Sequence, residues 1–189
     1  MCSSDLDAIF DTSSVLTLLF ANWSGIAFSS FLKFSSPSTF RSIWYTAAPL
    51  AARLGLAPVV EADLREVFLG DWEGGELRIR AAAGDPLFPR IFSEQRWDVI
   101  PGAEPHDDFD TRTWRGFQRV VERHPDERIV VVAHGGVIGQ LLHRVTGSSR
   151  FAFSGADNAS ISEVVAAPDR VVLRRFNDVT HLERLTPAR

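Results

Sequence analysis

One cysteine, Cys2, stands in a chain of 189 residues. Neither a disulfide framework nor a cysteine-ligated zinc site can be assembled within it, and a reducing, cytoplasmic setting fits. A strong positive balance is missing too, because 20 Lys and Arg against 24 Asp and Glu leave a net charge of −4. Such a chain has no broad basic field for nucleic acid as a main partner, although a small anionic ligand needs only a few local arginines. The five histidines, His106, His124, His134, His143 and His181, nowhere show an H-E-x-x-H spacing, so no metal site is expected. G-x-S-x-G is absent as well. The nucleophile elbow that an α/β-hydrolase would need beside a His-Gly-Gly loop is therefore excluded.

Lysine disappears after Lys33, and from Thr46 onward the basic residues are eighteen arginines. Residues 1–45 also hold eleven serines, six of the fourteen phenylalanines and only five charges. Arginine codons are mostly G/C-rich and lysine codons A/T-rich, so the break fits a change of base composition or reading frame. Cys2-Ser3-Ser4-Asp5-Leu6 is what a common sequencing-adapter string would encode. The expectation is an atypical segment over 1–45, either a non-native artefact of assembly or frame or a genuine core strand and helix, and a histidine-containing folded domain over 46–189. From Thr12 to Leu32 no residue is charged, nearly the length of a bilayer span. Thr, Asn, Gly and Ser dilute that run, and the charges before it are Asp5, Asp7 and Asp11, so a membrane anchor is not expected.

What is present after Thr46 is legible as alternating helices and strands. With 45% hydrophobic and 23% charged residues, the composition suits a single soluble core. TAAPLAARLGL reads as a helix with Leu50 and Leu54 on one face and Gly55 as its stop. APVV reads as a short strand, and DLREVFLGDWEGGEL runs into a glycine-rich loop. In PHDDFDTRTWRGFQRVVERH, the residues Phe109, Thr113, Phe117, Val120, Val121 and His124 recur at helical spacing, with Arg112, Arg115 and Arg119 pointing elsewhere. IVVVA is short, β-branched and apolar, which predicts a strand covered on both faces. VIGQLLHRVTG is the next helix, and NASISEVVAA with RVVLRRF reads as a closing β-hairpin. This alternation predicts a three-layer α/β/α sandwich.

His134 falls at the carboxyl end of the IVVVA strand, where ligands bind in open α/β sheets. Gly135 and Gly136 then let backbone approach a ligand at a helix start, whose unpaired N–H groups and positive potential favour a phosphate. The bland alternative is a histidine that merely closes the strand with a satisfied hydrogen bond.

LREVFLGDWEG at 64–74, VVVAHGG at 130–136, NASISEV at 158–164 and RRFNDVTHL at 174–182 together resemble the histidine phosphatase superfamily, the phosphoglycerate-mutase-like proteins. The resemblance covers residues 46–182 and implies a phosphoglycerate-mutase-like fold and a phosphomonoesterase acting on a small phosphate ester through a phosphohistidine, with no metal or organic cofactor. It implies that His134 is the second active-site histidine, donating to the phosphoryl oxygens, and that Glu66 is the proton donor to the leaving oxygen. Gly135 would add backbone contact to the phosphate. A protonated Glu66 needs a raised pKa, which burial supplies. The family's phosphate-binding arginine matches Arg41 in SSPSTFRSIWYTA, one residue out of step with both Pro37 and Thr46. The family's nucleophile lies in an Arg-His-Gly motif, which is absent, and no histidine occurs before His106. LDAIF at 6–10 is similar to the strand that would precede the serine-proline segment. Two other expectations follow: a catalytically dead phosphate-binding module, or a mutase-type phosphotransferase. The latter is disfavoured by the short segment between GDWEG and PGAEP. Arg90, Arg96 and Trp97 are weaker candidates for substrate contact, with helix surface and core as their plainer roles.

Overall fold

The computed structural model describes residues 14–20, 37–167 and 169–183, with side chains from residue 43 onward. Its strands are β1 (Ser14–Phe20), β2 (Arg128–Ala133), β3 (Ile161–Ala167) and β4 (Arg170–Asp178). The helices are α1 (Pro37–Leu54), α2 (Glu76–Ala82), α3 (Leu87–Glu94), α4 (His106–Arg123), α5 (Gly135–Thr146) and the single turn α6 (Thr180–Glu183).

The strands lie in the order β2-β1-β3-β4. β1 runs parallel to β2, with Val15 opposite Arg128 and Phe20 opposite Ala133. It runs antiparallel to β3, with Leu16 opposite Val164. β3 and β4 form the expected antiparallel hairpin. The alternation of a strand is visible in β3, where Ser162, Val164 and Ala166 are buried on one face. Val165, on the opposite face, is buried as well, so the sheet is covered from both sides there. That two-sided cover is the mark of a layered α/β fold.

α5 supplies the main buried stripe, Val137, Ile138, Leu141 and Leu142, at helical spacing. It packs with Phe109 and Phe117 of α4, with Val164 and Ala166 of β3, and with Leu64 and Val67 from the loop before α2. Leu64 and Val67 thus anchor that loop in the core on either side of Glu66. A smaller cluster of Trp72, Ile91 and Ile100 holds the loop to α3 and to the segment before α4. Gly70 lies at the seam. Its φ is +55°, and a Cβ there would sit 2.3 Å from the Pro101 carbonyl oxygen, so this approach requires glycine on both counts.

Several expectations are corrected. The helix read from Thr46 begins at Pro37, and α1 passes through residues 45 and 46 without a break. Leu54 is exposed rather than packed. APVV is not a strand: it has no ladder partner, and Val59 is 86% exposed. β2 is not covered along its whole length. It is the edge of the sheet among the described residues, and Val130 is 41% exposed. The uncharged run at 12–32 contributes β1 to the interior of the sheet. Residues 21–32 and LDAIF lie outside the described residues. Among the described residues, no helix is long and apolar enough to cross a membrane.

Candidate active site

β2 ends at Ala133, and His134 turns the chain into α5 with extended φ and ψ of −86° and 163°. Its carbonyl accepts the Ile138 N–H at 3.0 Å, the first bond of the helix. The residue is only 9% exposed. The next N–H groups belong to the first turn of α5, where no preceding carbonyl is available to them. One of them is occupied: the Gly136 N–H donates to Glu66 Oε2 at 3.1 Å. The other oxygen of the same carboxylate, Oε1, accepts the Val67 N–H at 2.8 Å. A Cβ on Gly136 would lie 2.4 Å from Glu66 Oε1, so the glycine is what lets the carboxylate reach the helix start.

Glu66 sits partly buried between α5 and the core, and burial pushes its carboxyl above the usual glutamate range. The His134 imidazole, the Val67 and Gly136 N–H groups and the Arg112 guanidinium all pull the other way, without outweighing the loss of water. A carboxyl that is reluctant to ionise, beside a histidine and a helix N-terminus, can hold and deliver a proton.

The loop carrying Glu66 is gripped by α4. Arg112, 5% exposed, donates from Nε and Nη2 to the two oxygens of Glu104 at 2.5 and 2.6 Å. Its Nη1 donates to the carbonyls of Asp63 and Arg65 at 2.8 and 2.7 Å, and its Nη2 to the carbonyl of Glu66 at 3.0 Å. Arg115 and Arg119 continue the grip one and two turns along, both binding Asp63, and Arg119 also binding Glu61. The Arg115 hydrogen bond leads in holding the Asp63 carboxyl down to about 2, with Arg119 adding to it. Burial pushes Glu104 up, but the Arg112 fork reverses this and leaves it below its ordinary value. A Cβ on Gly116 would meet Asp63 and Leu64 at 3.0–3.2 Å, which shows how closely α4 lies on this loop.

Beside the first turn of α5 lies a shallow cleft with enclosed space of only about 10 Å³, lined by Trp97, Gly135, Gly136, Gln140, Arg150 and Phe151 among others. Trp97 and Phe151 pack ring against ring at 5.1 Å. Arg150 is half-exposed at this cleft and lies 3.8 Å from Asp107.

The structure therefore brings Glu66 to the first turn of α5 beside His134 and Gly135. Arg41 lies on α1, and its side chain is outside the described residues. Of the weaker candidates, Trp97 lines the cleft, whereas Arg90 pairs with Glu94 and Arg96 with Asp98 on the surface. Arg112 was expected to point away from the packed face and instead is buried in it. Among the described residues, no three His, Cys, Asp or Glu side chains are grouped to hold a metal.

A family profile described as "Histidine phosphatase superfamily (branch 1)" matches residues 16–179. The chain belongs to this superfamily. As a histidine phosphatase relative, it is 36% identical over 150 residues to "Phosphoglycerate mutase-like protein 4" of Arabidopsis thaliana, covering 77% of this chain and 64% of that protein. It is 29% identical over 139 residues to the "Metal-independent phosphoserine phosphatase" of the same plant, covering 72% of this chain and 58% of that one. The chain thus spans about 60% of the length of these two relatives. Solved structures agree on the fold. Mycobacterial glucosyl-3-phosphoglycerate phosphatase superposes with a TM-score of 0.63 at 22% identity, over 87% of this chain and 99% of that one. The α-ribazole phosphatase of Shigella flexneri does so with 0.58 at 21%, over 73% and 69%. The histidine phosphatase α/β fold, of phosphoglycerate-mutase-like kind, is therefore that of this chain.

Proposed function

We propose that this histidine phosphatase domain binds the phosphoryl group of a small phosphate ester at the N-terminus of α5 and acts as a metal-independent phosphomonoesterase. The observation that carries the reading is the Gly136 N–H···Glu66 Oε2 contact of 3.1 Å, which sets a carboxyl whose pKa burial raises at an anion-favouring helix start beside His134. In this reading His134 and the Gly135 N–H donate to the phosphoryl oxygens, and Arg41 adds positive charge from α1. Glu66 gives its proton to the ester oxygen as a water molecule bonds to phosphorus and the P–O bond breaks, its electron pair passing to that oxygen. The water's protons stay on the phosphate until one returns to Glu66. Phosphoryl transfer asks a protein mainly for positioning and for stabilisation of charge on the phosphoryl oxygens, which these groups are suited to provide.

A second reading is favoured by one feature of the sequence. No Arg-His-Gly and no histidine before His106 occurs, so the imidazole nucleophile used in the family has no counterpart in this chain. A phosphate-ester-binding module without turnover would keep the same His134 and Glu66 geometry. Two measurements separate these readings: hydrolysis of p-nitrophenyl phosphate, and the rise in melting temperature with inorganic phosphate, each for the wild type, His134→Ala and Glu66→Gln. Hydrolysis that is lost in both variants supports the phosphatase. Phosphate stabilisation that depends on His134, without hydrolysis, supports the binding module. Neither effect in a folded wild-type chain refutes both.

A further inference from the structure

Arg112 is the most heavily committed side chain in the described structure. A guanidinium has five N–H donors, and the five bonds from Arg112 run to the two oxygens of Glu104 and to the carbonyls of Asp63, Arg65 and Glu66. None is left to bind a phosphate, so Arg112 is not an anion-binding arginine despite its place near the site. The segment it holds has little regular structure of its own. Only the single turn Ala62–Leu64 precedes Glu66, and the chain then runs without a ladder partner to the turn at Gly70. The carbonyls of residues 63, 65 and 66 therefore depend on Arg112 for donors that helix or sheet would otherwise supply.

We propose that Arg112, locked by Glu104, is the positioning residue for Glu66, fixing the backbone from which its carboxylate reaches the Gly136 N–H and His134. The role of Glu66 as acid rests on the function proposed above, whereas its placement by Arg112 does not. The geometry is specific to arginine. A planar fork satisfies Glu104 with one edge while its outer N–H groups reach three carbonyls. A lysine ammonium, with three donors on one atom, cannot span both sides. The titratable and charged groups facing Glu66 are His134 at the start of α5 and Arg112 from α4, with Arg65 adjacent in its own loop and Glu104 behind Arg112.

The test compares wild type, Arg112→Lys and the milder Glu104→Gln, in which Arg112 keeps its three carbonyl bonds. Two readouts follow the site directly: the titration of Glu66 by carbon NMR on glutamate-labelled protein, assigned with Glu66→Gln, and hydrogen exchange of the Gly136 amide. Arg112→Lys is expected to lose protection at Gly136. Its Glu66 midpoint should fall toward that of an ordinary glutamate as the carboxylate swings into water, and Glu104→Gln should move both readouts the same way by less. If the wild type turns over p-nitrophenyl phosphate, Arg112→Lys should lower kcat about 100-fold with KM nearly unchanged, the size of a misplaced catalytic group. A variant that melts earlier yet keeps the wild-type Glu66 midpoint and Gly136 protection would make Arg112 merely structural and overturn the proposal. If Arg112→Lys does not fold, unchanged readouts in Glu104→Gln overturn it equally. Because neither NMR readout needs turnover, an inactive wild type would refute hydrolysis and leave the positioning of Glu66 to be judged on its own.

Discussion

Replacing Gly136 by alanine pits a helix gain against a site loss. Glycine to alanine inside a helix is worth up to about 1 kcal/mol, and less than that in a first turn. Nothing in the backbone forbids the change, because Gly136 is helical. The added Cβ, however, would stand 2.4 Å from Glu66 Oε1, 3.0 Å from its Cδ and 3.2 Å from Oε2. Relief requires the carboxylate to retreat by roughly 1 Å, beyond hydrogen-bonding range of N–H groups now at 2.8 and 3.1 Å. A fully buried donor left unpaired costs about 1–3 kcal/mol, and these two partly buried ones fall near the lower figure, about 1–1.5 kcal/mol each. With two donors lost and the helix gain set against them, the net destabilisation is about 2 kcal/mol, or roughly 4–8 °C in Tm for a chain of this size. On the proposed function the larger effect falls on chemistry. A displaced general acid forfeits about 100-fold or more in hydrolysis. Thermal melts and p-nitrophenyl phosphate kinetics read the two effects separately. Gly136→Ala with a raised Tm and an undiminished rate would mean that the carboxylate does not need its seat on α5, and the account of the site would fail.

Other perturbations test other parts of the structure. Phe109→Ala empties a fully buried position between α4 and the loop of Leu64. It should cost about 3–5 kcal/mol by chemical denaturation, and a loss below about 1 kcal/mol would show the core to be misread. Asp63 is held at about 2 against an ordinary 3.8, so its contribution is complete above the ordinary value and disappears as pH falls through about 2. Asp63→Asn should flatten the pH dependence of urea stability between pH 4 and 2 by about 1–2 kcal/mol, the lower figure reflecting the solvated side chain of Arg115. An unaltered slope would exclude Asp63 from the acid limb. Phe151→Ala removes ring contacts to Trp97 at 5.1 Å and Phe92 at 6.0 Å beside the cleft. It should raise KM for p-nitrophenyl phosphate roughly 2- to 10-fold while leaving inhibition by inorganic phosphate alone. Equal loss for both ligands would place the effect on the phosphate seat.

Where a segment carries its own period, the sequence is readable. α4, α5 and the β3–β4 hairpin follow apolar spacings of 3.6 and 2, and His134 lies where strand meets helix. APVV has the residue types of a strand, but a strand needs a partner, and no local pattern reveals whether one will arrive. β1 was undecidable for the opposite reason. An uncharged run has the same composition whether it crosses a bilayer or fills the interior of a sheet, and only its pairing with β2 and β3 decides. Arg112 was legible in principle. Phe109, Arg112, Thr113, Gly116 and Phe117 stand at i, i+3, i+4, i+7 and i+8, so the arginine falls inside the buried stripe. Treating charge as a sign of exposure hid it. The cleft of Trp97 and Phe151 joins residues more than fifty positions apart and leaves no trace in either local sequence.

The carboxylate of Glu66 occupies the very N–H group that an incoming phosphate would seek on Gly136. On the proposed function the domain would carry its own intramolecular competitor, and an ester would gain entry most readily with Glu66 protonated and its hold on the helix weak. On the proposed chemistry the proton then leaves with the alcohol, and the carboxylate regains its negative charge beside the phosphate that remains. Repulsion and the recaptured Gly136 N–H would both act to expel that product, so a single side chain would set the order of arrival and departure at the site.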